Sequence, residues 1–286
     1  MNNQKLHIVE CPRDAMQGWP HAIATADKIN YLQNLVKVGF NTIDCGSFVS
    51  PKAIPQMADT ADVLEAIDLN GSPSKLLVIV ANERGAAQAV RMSKVSYLGF
   101  PFSVSPTFQQ RNTNAGMDEA EERLKIIQSL AADAGKELVV YLSMGFGNPY
   151  GDPYSADMVI EWGKKISGLG VKILSLADTV GLATPTEIST LVASFRQALP
   201  HIETGVHLHA TPMGSVDKLA AAYDAGCRRF DGAIAGIGGC PMAGDELTGN
   251  MDTATMLDYF ASRGEDPGID KQQFDHCVGL AKSIFI

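Results

Sequence analysis

Two histidines, His207 and His209, stand two residues apart in the run Gly205-Val206-His207-Leu208-His209. Val206 and Leu208 suit a β-strand, and a strand turns every second side chain to the same face. Both imidazoles therefore project one way and the apolar residues the other. Two imidazoles on one face are half of a metal site, because neutral imidazole ligates many divalent ions. The same pair could also be two hydrogen-bonded histidines in a core or on a surface. The run alone leaves both readings open, so the elements that carry it must decide.

Short apolar runs alternate with longer amphipathic ones along the chain. Residues 6–10, 42–44, 76–80, 95–100, 138–143, 173–176, 205–209 and 228–231 read as strands. Residues 26–38, 57–67, 85–92, 117–134, 156–167, 186–198 and 215–225 read as helices. The helix at 117–134 opens with Asp118, Glu119, Glu121 and Glu122, acids that complement a positive helix N-terminus. Gly39, Gly135, Gly170 and Gly226 follow helices as C-terminal stops before the next strand. Strict βα alternation implies a parallel sheet. Eight such units in about 250 residues predict a closed (β/α)₈ TIM barrel of the α/β class. An open doubly wound sheet is the runner-up. It would carry a phosphate-binding glycine fingerprint after its first strand, where this chain has Cys-Pro-Arg-Asp after Glu10. Beyond residue 252 the sequence reads as a final helix and a short helical C-terminal extension. With no linker or low-complexity stretch, residues 1–286 are expected to form one barrel domain.

Composition excludes some functions. The formal net charge of −9 argues against nucleic acid or an anionic membrane as a partner, although a local basic patch could still bind phosphates. Five cysteines, at 11, 45, 227, 240 and 277, form no Cys-x-x-Cys pair, which fits a reducing compartment better than a disulfide framework. The first strand begins at Leu6 with no basic, apolar leader before it. No apolar run reaches the ~18 residues of a membrane span. The expectation is a soluble cytoplasmic protein without nucleic-acid or membrane partners.

A barrel of this kind places its chemistry at the C-terminal ends of its strands. There the sequence puts Arg13, Asp14 and Gln17, then Asp44 and Ser47, then Asn82, then Ser103, Ser105 and Arg111. Ser143 and Asn148 follow strand five, Asp178 and Thr179 strand six, and the two histidines strand seven. After strand eight come Gly236-Ile237-Gly238-Gly239-Cys240-Pro241 and Gly249-Asn250. Each has a local explanation: Asp14 or Asp178 capping a helix, Asp44 pairing with a lysine, the glycines serving a loop with positive φ. Polar residues at the end of every strand of an apolar scaffold are instead the pattern of a catalytic rim. Asp14 offers a carboxylate and Asn250 an amide oxygen beside His207 and His209. Four such donors leave room in an octahedral shell for two substrate oxygens, such as a hydroxyl with a carbonyl or carboxylate. Oxygen donors suit Mg²⁺ or Mn²⁺, and the imidazoles widen the choice to Zn²⁺ or Co²⁺.

The blocks IVECPRDAMQ, SFVSPKAIPQM, SLADTVGLATP, VHLHAT, AGIGGCP and TGN carry a family likeness over nearly the whole length. In their order and spacing the chain resembles 3-hydroxy-3-methylglutaryl-CoA lyase, of the metal-dependent barrel lyases related to isopropylmalate synthase. The resemblance implies a TIM barrel with a divalent cation. It implies cleavage of a 3-hydroxy-3-methylglutaryl thioester to acetyl-CoA and acetoacetate, within leucine degradation. By motif, Asp14, His207, His209 and Asn250 match the metal ligands, Arg13 the catalytic arginine and Cys240 the catalytic loop cysteine. Asp44, Asp178 and His207 join the catalytic candidates, the last two as acceptors of the hydroxyl proton. Arg13, Gln17, Ser47, Ser143, Asn148 and Thr179 are expected around the substrate. Lys52, Arg84 and Arg111 are candidates for the phosphates of coenzyme A.

Departures from the family pattern fall around this machinery. Asp44 stands for a usual glutamate, Ala210 for a usual aspartate and Asn148 for a frequent cysteine. The opening motif is one residue shorter, and the loop after Cys240 one residue longer. A second reading therefore keeps the carbon–carbon cleavage and changes the substrate to another 3-hydroxyacyl thioester or hydroxy acid. A metal-binding barrel without catalysis would need neither Arg13 nor Cys240. The oligomeric state is open between a monomer and a homo-dimer or tetramer.

Overall fold

In a computed structural model, which describes residues 5–239 and 248–285, the strands close into a parallel barrel in chain order. They are β1 (His7–Glu10), β2 (Thr42–Ser47), β3 (Lys75–Ile79), β4 (Val95–Ser103), β5 (Glu137–Ser143), β6 (Ile173–Asp178), β7 (Glu203–Leu208) and β8 (Arg229–Gly232). The helices that alternate with them are α1 (Pro12–Gln17), α2 (Thr25–Val38), α3 (Thr60–Ala66), α4 (Glu83–Ala89), α5 (Pro106–Thr113), α6 (Met117–Asp133), α7 (Ala156–Gly168), α8 (Pro185–Ala198) and α9 (Ser215–Asp224). Two more, α10 (Thr253–Ser262) and α11 (Lys271–Ile284), follow the last strand as the extension expected from sequence. The ring closes where β1 pairs with β8, from His7 opposite Arg229 to Glu10 opposite Gly232.

Several strands run past their apolar cores. β4 continues to Ser103, in register with Ser143 of β5, and β6 continues to Asp178. Backbone pairing holds these polar residues extended where side-chain hydrophobicity gives no sign of it. Conversely β7 ends at Leu208, and His209 is held one residue further on by an antiparallel bridge to Asn250. The helix expected at 57–67 divides into a 3-10 turn, Pro55–Met57, and α3. Two short helices, α1 and α5, were not expected. Each starts with proline in its first turn, where the missing N–H costs nothing, and each is too short to show a helical period. Gly39 and Gly226 do adopt left-handed φ, 94° and 92°, after α2 and α9. A capping box, Thr184 with Glu187, starts α8.

The main core lies between sheet and helices, where Ile8, Phe100, Leu142, Leu174, Val206 and Phe230 are buried. A smaller cluster, Leu77, Tyr97, Val139, Tyr141 and Ile173, fills the barrel interior. At the N-terminal end of the strands a cavity of about 640 Å³ is lined by Lys5, His7, Arg196, Glu203, Arg228 and Arg229 among others. Its arginines serve the helix ends. Arg196 Nη1 donates to Ala225 O (3.2 Å), and Arg228 Nη1 donates to Tyr223 O (3.0 Å) and Cys227 O (2.7 Å), capping α9. Among the described residues no helix is long and apolar enough to cross a membrane.

Candidate metal and catalytic site

The C-terminal rim gathers residues from both ends of the chain. His207 lies one residue before the end of β7, with its Nε2 3.1 Å from His209 Nε2. α1, packed against β2, brings Asp14 to the same place. One ligand atom each from Asp14, His207 and His209 lie within 4.8 Å of one another. Asn250 Nδ2 donates to Asp14 Oδ2 (2.7 Å) and to Ile237 O (2.9 Å), tying the segment after β8 across the rim. Gly238 allows this crossing. A Cβ there would fall 2.6 Å from Asn250 Nδ2 and 2.8 Å from Asp14 O, and its φ is +110°.

Arg13 lies beside this group in a fork of acids. Its Nε donates to Asp44 Oδ2 (3.0 Å) and Oδ1 (3.2 Å), its Nη2 also donates to Asp44, and its Nη1 donates to Asp14 Oδ1 (2.9 Å). Gln17, one helical turn after Asp14, donates from Nε2 to Asp14 Oδ1 (2.7 Å). Arg13, Asp14 and Asp44 are all buried.

The protonation states suit metal binding. Burial alone would raise the Asp14 carboxyl, but Arg13, the two imidazoles and Asn250 bring it down to about 2. Burial and the neighbouring His207 push His209 down to about 4, so its imidazole is neutral at pH 7 and carries a lone pair. Burial opposes charge on His207, and its hydrogen bond to Asp231 more than offsets that and raises it. Burial lifts Asp44 to about 6 against the pull of Arg13. Two imidazole nitrogens 3.1 Å apart need a proton or a cation between them. One carboxylate, two imidazole nitrogens and an adjacent amide form a donor set that fits a divalent cation.

The family model described as HMGL-like matches residues 6–279. The chain belongs to the HMGL-like family. The mitochondrial hydroxymethylglutaryl-CoA lyase of Gallus gallus is 32% identical over 273 residues, covering 94% of this chain and 90% of that protein. The structure of the HMG-CoA lyase from Brucella melitensis superposes with a TM-score of 0.91 at 28% identity, covering 99% of both chains. An HMG-CoA lyase from Acinetobacter baumannii, solved in complex with coenzyme A and 3-methylmalate, superposes with a TM-score of 0.90 at 28% identity, covering 98% of this chain and 91% of that one.

Other rim residues of this HMGL-like chain are committed to its scaffold to different degrees. Ser47 Oγ donates to Ile79 O (3.3 Å) and accepts from Val49 N (3.3 Å). Ser143 is buried at the end of β5, where its carbonyl accepts from Ser103 Oγ (3.4 Å). Thr179 Oγ1 accepts from Met144 N (2.8 Å), bracing a residue with φ of 57°. Asn148 spends its amide on its own loop, accepting from Tyr150 N (3.0 Å) and Asp152 N (3.1 Å) and donating to Asp152 O (3.0 Å). Asn82 and Ser105 are N-caps of α4 and α5. Arg111 lies over the Tyr150 ring, 4.7 Å from its centroid. Cys240 lies outside the described residues.

Sequence reasoning missed Lys218. Read as part of an amphipathic helix it counts as a solvated charge, yet it is only 8% exposed. From α9 its Nζ donates to Asp178 Oδ2 (2.7 Å), His209 O (2.8 Å) and Gly181 O (3.0 Å). All three ammonium protons are used, and the ends of β6 and β7 are stitched together. Asp178 thus pairs with a lysine rather than capping a helix. Lys218→Met strands the Asp178 carboxylate and is expected to cost about 3–5 kcal/mol in urea unfolding, with much of it recovered in Lys218→Met/Asp178→Asn. An unfolding midpoint unchanged by the single substitution would show that the pair contributes little.

Proposed function

We propose that this HMGL-like barrel is a divalent-metal-dependent lyase that cleaves 3-hydroxy-3-methylglutaryl-CoA to acetyl-CoA and acetoacetate. The observation that carries the reading is the triad Asp14, His207 and His209, with ligand atoms within 4.8 Å, adjoining the buried Arg13 fork. Asp14, His207, His209 and Asn250 would hold the cation, Mg²⁺ or Mn²⁺ by preference. Bound there, it supplies Lewis-acid polarisation of the substrate's hydroxyl and carbonyl oxygens.

The remaining chemistry belongs to side chains. The C3 hydroxyl loses its proton to the rim, where Asp178 is the candidate acceptor. His207, the other candidate from sequence, has no lone pair left once its Nε2 is a ligand and its Nδ1 proton faces Asp231. Asp178 still has lone pairs free beyond its bonds to Lys218 and the Ala183 amide. The C2–C3 bond then breaks. Its electrons pass to C2 as the enolate of acetyl-CoA, and C3 becomes the ketone of acetoacetate. Arg13 keeps N–H donors on both Nη atoms beyond those given to the two aspartates, and its charge persists at any working pH. It stabilises the enolate oxygen. Cys240 returns a proton to C2, as a thiol that is mostly protonated at neutral pH. We place this activity in the cytoplasm and in leucine degradation.

The test is direct. Purified protein with Mg²⁺ or Mn²⁺ and the thioester should release acetoacetate. No product where a known lyase turns over would sink this substrate. One observation favours the second reading: Ala210, buried beside His209 with its N–H on Gly249 O, stands where the family usually has an acid. A panel of 3-hydroxyacyl thioesters would then locate the true substrate. Cys240→Ala is expected to slow turnover by about 10²–10⁴-fold, the contribution of a positioned acid, with Mn²⁺ affinity nearly unchanged. Loss of Mn²⁺ binding would assign Cys240 a different role.

A further inference from the structure

The barrel interior directly beneath the histidines is charged. Asp231 on β8 pairs in register with His207, and Arg229, two residues earlier on the same face, pairs with Gly205. Asp231 Oδ2 lies 3.2 Å from His207 Nδ1. Its other oxygen, Oδ1, is buried with no hydrogen-bond partner among the described residues, and so are Nε and Nη2 of Arg229. The guanidinium is 1% exposed, and only Nη1 reaches the floor of the barrel, at Glu203 Oε1 (3.3 Å) and His7.

Gly205 explains how a long side chain fits there. A Cβ at that position would stand 2.9 Å from Arg229 Cδ and 3.1 Å from Cγ. Without one, the arginine stem lies across β7, one layer below His207. Tyr141 closes another side of the imidazole, edge-on at 5.9 Å between ring centres. A buried cation and a buried anion on one face of one strand each offset the desolvation of the other. The same attraction raises Arg229, against a burial that would lower it.

An imidazole whose Nδ1 faces a carboxylate carries its proton on Nδ1 and leaves the Nε2 lone pair bare. In His207 that Nε2 is the atom turned towards His209. We propose that Asp231, charge-balanced from below by Arg229, is a positioning residue that fixes the tautomer and ring of His207 and so sets the metal affinity of the site. The inference rests on the metal site and not on which thioester is cleaved.

The decisive variant is Asp231→Asn. A carboxamide keeps the shape but can donate to Nδ1, which drives the imidazole proton to Nε2, as the same change does in the serine-protease triad. Titration of metal-free protein with Mn²⁺, followed by electron paramagnetic resonance, should give a dissociation constant roughly 10–100-fold higher. The ¹⁵N spectrum of histidine-labelled apoprotein should show His207 switching from Nδ1–H to Nε2–H, with the circular dichroism unchanged. Unaltered Mn²⁺ affinity, or a His207 that stays Nδ1–H, would overturn the proposal. Should the variant not fold, the parent still decides, because a metal-free parent with His207 as Nε2–H is incompatible with it. His209→Ala in the same titration separates the two ideas. If it too leaves Mn²⁺ binding unchanged, the ligand set is wrong, and not merely the support of His207.

Discussion

An Arg13→Met variant is expected to fall by about 10²–10³-fold in kcat on the thioester, the scale of losing one preorganised oxyanion donor. It should also unfold more readily. Arg13 is 8% exposed and is the cation for both Asp44 and Asp14, so its removal leaves buried carboxylates without a counter-charge. Breaking such a pair from one side costs about 3–5 kcal/mol. The two effects can be separated. Arg13→Met/Asp44→Asn should regain much of the stability in urea unfolding while kcat stays low. If activity returned with stability, Arg13 would be an anchor for the acids and nothing more. Arg13→Lys should fall between, since one ammonium cannot reproduce a fork that contacts both oxygens of Asp44 and one of Asp14.

His209→Ala is expected to weaken Mn²⁺ binding by more than the roughly 10–100-fold that follows loss of a mere supporting group. The metal-free protein should be much less affected. Among the described residues the ring's side-chain partner at hydrogen-bond distance is the imidazole of His207, with a backbone hydrogen bond to Thr248 beside it, so few contacts are lost with the ring. The measurement is a pair of melting curves. Mn²⁺ is expected to raise the Tm of the parent by mass action, because only the folded chain assembles the donors. The variant should melt at nearly the same temperature with and without the ion. A metal-dependent rise equal to the parent's would exclude His209 from the ligand set.

The barrel was legible because its signal is periodic and repeated: an apolar strand, an amphipathic helix and a glycine stop, again and again. Boundaries were less so. β4 and β6 extend into Ser103 and Asp178 because barrel pairing, and not hydrophobicity, holds the strand ends. α1 was invisible to periodicity, although it supplies the spacing that puts Arg13, Asp14 and Gln17 on one side. The polar rim could be read as a set of residues, and the structure brings Asp14, His207, His209 and Asn250 together. What sequence could not show is commitment. Nothing in the chain distinguishes Asn148, spent on its own loop, from a residue free to meet a substrate. Nor does it separate Lys218, buried against Asp178, from an ordinary helix lysine. Asp231 was counted as the end of a strand, and its place under His207 follows only from the register of β7 with β8.

Asp14 and Asn250 touch across 236 residues of chain. During synthesis the first of them must wait until Asn250 has left the ribosome. β1 cannot lay itself against β8 before β8 is made, and until the ring closes the histidines lack the carboxylate of Asp14. The donor set is therefore complete only once segments from both sides of the ring closure have met. Metal uptake in a refolding experiment would serve as a clock for the final stitch of the ring, recording it separately from the earlier growth of helices and neighbouring strands.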